Sequence, residues 1–334
     1  MTTVAPPAPP RAHHRPGGGF RNPWLESESR FRDFLRWRAE SVKSPRPPAP
    51  RAVSLPRVES AFATPRAPAD ACSVTWVGHS TLLVQAGATN ILTDPIWSAV
   101  AGPTPWLGPR RLVPAAVAFD ALPPIDLVLL SHDHYDHLDS TTVRRLARAH
   151  PEARWVAPLG VAALLRARGV RNVTELDWWQ SVDVGGAHVT CAPAQHFSGR
   201  TPFDRMERLW AGFAVRAGTH SIFFAGDSGY HPGFAEVGRR LGPFDITLMP
   251  IGAYEPRWFM GPMHLDPADA VRAFGDLNPG AASGHAMVGI HWGTFRLTDE
   301  PIDEPPVLAR QAWADSKRRP DDLWILPHGA TRWR

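Results

Sequence analysis

From Cys72 onward, short apolar runs alternate with polar turns and amphipathic stretches. Ser73–Gln85 (SVTWVGHSTLLVQ) reads as two strands around a Gly-His turn, and Asn90–Pro95 (NILTDP) as a third strand ending at Asp94-Pro95. Residues 125–131 (IDLVLLS) are a continuous apolar run, the mark of a strand buried on both faces. A helix is predicted from about 140 to 150, capped by Asp139 or Ser140, with Val143, Leu146 and Ala147 turned inward. Further strands are predicted at 155–157, 188–192, 210–216, 221–225, 246–250, 287–291 and 322–326. Helices are predicted at 159–168, 232–241, 267–277 and 305–317, the third opening on the cap pair Asp266-Pro267. The order suits an α/β architecture of sheets covered by helices, with no fixed-period repeat.

The first 70 residues differ in kind. Residues 1–19 are rich in proline and glycine and are expected to be disordered, with His13 and His14 as a solvated pair. Residues 28–42 can form a short amphipathic helix whose apolar face would be Phe31, Phe34, Leu35 and Trp37. That face could dock on the body or touch lipid. Residues 44–70 return to a proline-rich linker. The expected organisation is an arm, 1–70, and one large domain, 71–334. Charge follows the same division. The net charge is +4, but residues 1–70 hold 12 Arg/Lys against 6 Asp/Glu, hence +6, leaving −2 for the rest. An acidic body argues against a nucleic-acid enzyme. A basic arm allows weak attraction to a membrane surface, although a solvated arm is the favoured reading. Two cysteines, Cys72 and Cys191, exclude a disulfide framework and read as buried inert thiols, with a single bridge between them as the alternative. No apolar stretch approaches the ~20 residues needed to cross a bilayer, and the N-terminus lacks the apolar core of a secretory signal, so a cytoplasmic protein is expected.

The chemistry concentrates in His132-Asp133-His134-Tyr135-Asp136-His137, directly after the buried strand. Imidazole and carboxylate suit zinc and its neighbours. In a sharp loop, 132 and 134 can point one way and 136 and 137 another, so one loop could serve two adjacent ions. A closed structural zinc would favour cysteine, and none is near. His196, Asp227 and His291 each follow an apolar run, where α/β proteins build sites. Together these residues supply the ligand count of a two-metal centre.

His-x-His-x-Asp-His followed by a later His, an Asp and a last His resembles the signature of the metallo-β-lactamase superfamily. The resemblance implies a four-layer αβ/βα sandwich with metals at the edge of two central sheets. It implies His132, His134 and His196 on a first ion, Asp136, His137 and His291 on a second, and Asp227 between them. The segments WVGHSTLLV, LTDPIWS, SHDHYDHLD, GDSGYHPGF, IGAYEPRWFM, HLDPADAV and IHWGTF, with FRNPW and LRW upstream, resemble N-acylphosphatidylethanolamine-hydrolysing phospholipase D from about residue 20 onward. The implied activity is hydrolysis of a lipid-like phosphodiester to a phosphatidic acid and an N-acylethanolamine. A lactonase or a small-phosphodiester hydrolase on the same fold is the alternative. The implied cofactors are two Zn²⁺ ions, with Mn²⁺ or Fe suited to the same donors. The implied catalytic residues are Asp136, Asp227 and His264, the last placed to stabilise the leaving oxygen or bind phosphate. Asp94 and His79 are candidates for orienting ligand side chains. Tyr254, Trp258 and Phe259 either line an acyl pocket or pack. The resemblance also implies a homodimer with a membrane-facing role.

Overall fold

The computed structural model describes residues 12–25, 31–43, 55–280 and 284–334. A first helix, α1 (Phe31–Lys43), precedes the body. The first half of the body then builds one sheet. Antiparallel β1 (Cys72–Gly78), β2 (Thr81–Ala86) and β3 (Thr89–Thr93) lead into parallel β4 (Leu127–Leu129), β5 (Arg154–Pro158) and β6 (Val173–Leu176), with crossovers through α2 (Ser140–Ala149) and α3 (Ala162–Arg166). The second half repeats the scheme. Antiparallel β7 (Ser181–Val184), β8 (Ala187–Ala192), β9 (Gly212–Ala217) and β10 (His220–Phe224) lead into parallel β11 (Ile246–Pro250), β12 (Ala286–Ile290) and β13 (Leu323–Trp324). Helices α4 (Gly233–Leu241), α5 (Arg257–Met260), α6 (Pro267–Leu277) and α7 (Pro305–Asp315) connect them, and β14 (Thr331–Trp333) returns to pair with β1. The result is two seven-stranded sheets.

Side-chain alternation explains how the layers stack. Leu82 points into the large core between the sheets, while its neighbour Leu83 points into a second core beneath α2. In β4, Leu127 and Leu129 enter the first core and Val128 the second, so the continuous apolar run is buried on both faces as its pattern predicts. Asp139 caps α2 by accepting from Thr141 N, and Val143 and Leu146 are buried in the second core, with Ala147 packed at its margin. The caps and turns therefore place β4, its following loop and α2 in one rigid unit. Among the described residues, no helix is long and apolar enough to cross a membrane. Both thiols are buried and unpaired.

The described parts of the first 70 residues lie on the body. The expectation of a disordered stretch with a solvated histidine pair is corrected for residues 12–19. His13 Nε2 and His14 Nε2 lie 2.7 and 2.9 Å from the two oxygens of Asp177. His13 stacks on Trp178 at 4.1 Å, and Trp24 lies between Trp178 and His231. A buried carboxylate requires donors, and the two imidazoles supply them. Residues 1–11 and 44–54 lie outside the described residues. On α1, Trp37 is buried, donates to Asp299 (2.5 Å) and stacks on Phe259, whereas Phe34 and Leu35 are exposed. The helix thus docks through one edge of its apolar face. The side chain of Phe31 lies outside the described residues. β6, β7, β14 and α5 were not predicted from the sequence, and the strand expected at 322–326 shrinks to two residues.

Candidate metal centre

Six strands from the two sheets end at one edge of the sandwich, and each delivers a polar side chain there. His79 follows β1, Asp94 follows β3, the loop 130–139 follows β4, His196 lies beyond β8, Asp227 beyond β10, and His291 directly follows β12. The backbone turns sharply at several of these points: φ is positive at His79, Asp94 and His291. The loop after β4 is tied down by its own backbone, with His137 and Leu138 N–H groups both donating to the His134 carbonyl. Asp133 is turned away from the centre. Its carboxylate accepts from Arg208 Nε (2.5 Å) and Gly199 N (2.8 Å), which separates it from the four donors around it.

Two donor groups result. In the first, His132 Nε2 is 2.8 Å and His196 Nε2 is 3.2 Å from His134 Nδ1. In the second, Asp136 Oδ2 is 3.3 Å from His137 Nε2 and 3.6 Å from His291 Nε2. Asp227 Oδ2 stands between the groups, 3.1 Å from both His137 Nε2 and His291 Nε2 and 3.9 Å from both His196 Nε2 and His264 Nδ1. All seven donors named from the sequence come together, and His264 joins them.

The outer nitrogen of three of the rings, His132, His137 and His196, is held, which fixes the inner one. His137 Nδ1 donates to Asp94 Oδ2 (2.6 Å), and His196 Nδ1 donates to the Met263 carbonyl (3.0 Å). His132 Nδ1 meets Ser131 Oγ at 2.9 Å, and that hydroxyl itself donates to Asp94 Oδ2 (2.5 Å). In each ring the Nε2 lone pair then faces inward, as ligation requires. His79 Nε2 donates to Asp136 Oδ2 (2.9 Å). His137 Nε2, His291 Nε2, Asp227 Oδ1 and His264 Nδ1 are buried with no hydrogen-bond partner. Such groups are costly unless something else satisfies them. Facing lone pairs, orphaned buried donors and two ionised carboxylates fit a pair of divalent cations.

Electrostatics agree. Burial opposes ionisation of Asp136 and Asp227, yet the adjoining imidazoles, His137 foremost, hold both carboxyl groups well below the usual range. Burial and neighbouring rings push His132 and His196 well down, so both are neutral. Burial also resists charge on His137 and His291, but the carboxylates, Asp227 foremost, raise both, His291 to about 9. The carboxylates demand positive charge in this space, and without a cation it falls to protons on these rings.

Other residues act behind the donors with no sequence signal of their own. Ser131 relays Asp94 to His132. Asn22 Nδ2 donates to the His196 carbonyl (2.8 Å), so the N-terminal segment braces a donor. His328 is buried on the face of Trp76, and its Nε2 lies 3.1 Å from Thr294 Oγ1, which accepts from His79 N (2.7 Å). Tyr254 instead packs: its hydroxyl donates to Glu304 (2.6 Å), and burial together with that carboxylate raises its pKa far above normal. Phe259 packs on Trp37, and Trp258 lies under Arg36. Gly226 makes the turn that presents Asp227. Its φ is +60°, and a Cβ there would fall 2.6 Å from Ser131 Cβ. Gly226→Ala is expected to lower stability by about 2–4 kcal/mol, read as a lower denaturant midpoint at unchanged slope.

Residues 89–292 match the Beta-lactamase superfamily domain. An uncharacterized protein of Mycobacterium tuberculosis is 44% identical over 263 residues, covering 78% of this chain and 67% of that one. N-acyl-phosphatidylethanolamine-hydrolyzing phospholipase D 1 of Caenorhabditis elegans is 39% identical over 242 residues, covering 69% and 67%. Among solved structures, isothiocyanate hydrolase from Delia radicum gut bacteria superposes with a TM-score of 0.60 at 21% identity, covering 78% of this chain and 98% of that one, a likeness of fold. With the fold and the donor clusters, these matches establish that the chain belongs to the metallo-β-lactamase superfamily. Within it, the chain is a metal-dependent hydrolase.

Proposed function

We propose that this chain is a dinuclear phosphodiesterase of phospholipase D type, cleaving N-acylphosphatidylethanolamine-like lipids to a phosphatidic acid and an N-acylethanolamine. The observation that carries the dinuclear reading is Asp227 Oδ2, set within 3.9 Å of donors from both groups. His132, His134 and His196 would hold one Zn²⁺, Asp136, His137 and His291 the other, and Asp227 both. A bound pair supplies Lewis acidity and a water acidified towards neutral pH. The protein's own work is orientation and charge. Asp94, Ser131 and the Met263 carbonyl fix ring tautomers, and His79 fixes the Asp136 carboxylate. His264 is pushed down to about 4, chiefly by burial, so at pH 7 it is neutral and can donate to a phosphoryl or departing oxygen without adding charge.

Support for the lipid substrate comes from the 39% identity to the C. elegans phospholipase. The surface beside His264 agrees with it. Trp258 of α5 is exposed beneath Arg36, Phe34 and Leu35 on the adjoining α1 are exposed as well, and α5 is joined to His264 by a bond from His264 N to the Met260 carbonyl (2.9 Å). That apolar rim suits a substrate met at a lipid surface. The test is phosphatidic acid release from N-acylphosphatidylethanolamine micelles by zinc-loaded protein, beside a chelated control, a lactone and a small phosphodiester. Chelator-sensitive release is expected. Turnover of the lactone or small diester alone would reject the lipid reading and leave the metal centre standing.

A further inference from the structure

On the outer face of the first sheet, the C-terminal half of α2 and the turn after α3 enclose an open groove of about 550 Å³. Arg144 and Arg148 reach it from α2, and Arg168 and Arg171 from the turn, over a floor that includes Ala147 and Gly169. We propose that this groove is a binding site for a ligand carrying two or more phosphate groups.

The arrangement is unfavourable without such a ligand. Arg144 and Arg148 are four apart on one helix face, where like charges repel. Arg168 is pinned half-buried, donating from Nε to Ser140 Oγ (2.8 Å) and from a terminal nitrogen to the Leu164 carbonyl (2.6 Å). Burial first, and the charge of Arg144 second, work against its protonation. Among the described residues, none of the four arginines is paired with a carboxylate, although adjoining Arg145 is paired with Asp120. The negative end of α2 accounts for a cation at Arg148 and for no other. The four charges also stand out against a body, residues 71–334, that is net −2.

The chemistry of the occupant follows. Guanidinium forks match phosphate oxygens in a two-bond geometry that lysine does not offer. A phosphate monoester carries about −2 at neutral pH, so two are needed to balance four arginines. The volume lies within the usual range for a small-molecule site. None of the residues lining the groove belongs to a donor group of the metal centre, although Arg168 also reaches Ser140 at the start of α2. A free polyphosphate and a multiply phosphorylated lipid headgroup share this chemistry.

The metal-loaded full chain is titrated with tripolyphosphate at physiological ionic strength. In parallel it is sedimented with phosphatidylcholine vesicles, with and without phosphatidylinositol bisphosphate. The double variant Arg144→Gln, Arg171→Gln is run in both arms. Both side chains are exposed, and its thermal unfolding midpoint and bound-metal content should match wild type, which verifies folding. Binding in either arm that weakens roughly tenfold or more in the variant supports the site. The arm that responds identifies the source. Binding unchanged in the variant, or no binding in both arms, overturns the proposal. A single-stranded oligonucleotide that binds more tightly than tripolyphosphate, with the same arginine dependence, overturns it in favour of nucleic acid.

Discussion

Asp227→Asn is expected to reduce turnover by about 10³-fold or more while the protein remains folded. The residue stands where both donor groups meet, with Oδ2 3.1 Å from His137 and His291 and 3.9 Å from His196. Asparagine keeps the shape and removes the charge. It also brings an N–H₂ group to ring nitrogens whose lone pairs must stay free. Loss of several kcal/mol of transition-state stabilisation is the scale of a metal's Lewis-acid contribution, and each 1.36 kcal/mol is tenfold in rate. Folding should be spared, because Oδ1 has no hydrogen-bond partner and His137 and His291, which Asp227 holds charged, can release their protons once it is neutral. Metal content by mass spectrometry should fall below two ions per chain. A variant that keeps two ions and near-wild-type turnover would sink the role assigned to Asp227.

How far the sequence foretold the fold depends on burial. β2 and β4 were legible because each has a core on both faces, and that demand writes itself into every residue. β7 and β14 were not. Both are sheet edges; β7 turns only two half-buried valines, Val182 and Val184, inward and β14 has three residues, so neither is long enough to register a pattern. α5 is a single turn, too short for a period of 3.6 to register. Residues 12–19 misled for a different reason. Their composition is that of a solvated segment, but their partners Asp177 and Trp178 lie some 160 positions away. A local reading cannot weigh a distant buried carboxylate.

The donor set was legible because ligation forces residue type. Three histidines and two aspartates within six positions have few other uses, and His196, Asp227 and His291 were singled out by their place at strand ends. The supporting layer was not legible in the same way. Ser131, Asn22 and Thr294 act through one hydroxyl or one amide, and such residues are common everywhere. His328 is chemically conspicuous but reaches the centre only through Thr294 and a backbone N–H. The arginines of the groove look like an ordinary solvated helix face until α3 places Arg168 and Arg171 opposite them. Distance in sequence hides each of these.

Asp94→Asn separates orientation from ligation, and its effect should be large for a residue that touches no cation. Asp94 is fully buried, and its oxygens accept from Ser131 N (2.7 Å), Ser131 Oγ (2.5 Å) and His137 Nδ1 (2.6 Å). An asparagine can accept from Ser131 N through its one oxygen. Its N–H₂ then faces His137 Nδ1 and Ser131 Oγ, both of which were donors. The conflict resolves only if His137 moves its proton to Nε2, which removes the lone pair the second ion would use, or if a buried donor goes unpaired. The first outcome should weaken metal binding by roughly 10–100-fold. The second should cost about 1–3 kcal/mol of stability. Turnover at limiting zinc should therefore collapse, and excess zinc should restore much of it, because the ligand set itself is intact. Asp227→Asn should show no such rescue. If excess zinc restores nothing to Asp94→Asn although the chain is folded and holds two ions, then Asp94 does more than orient His137 and Ser131, and its carboxylate belongs among the groups that act on the substrate.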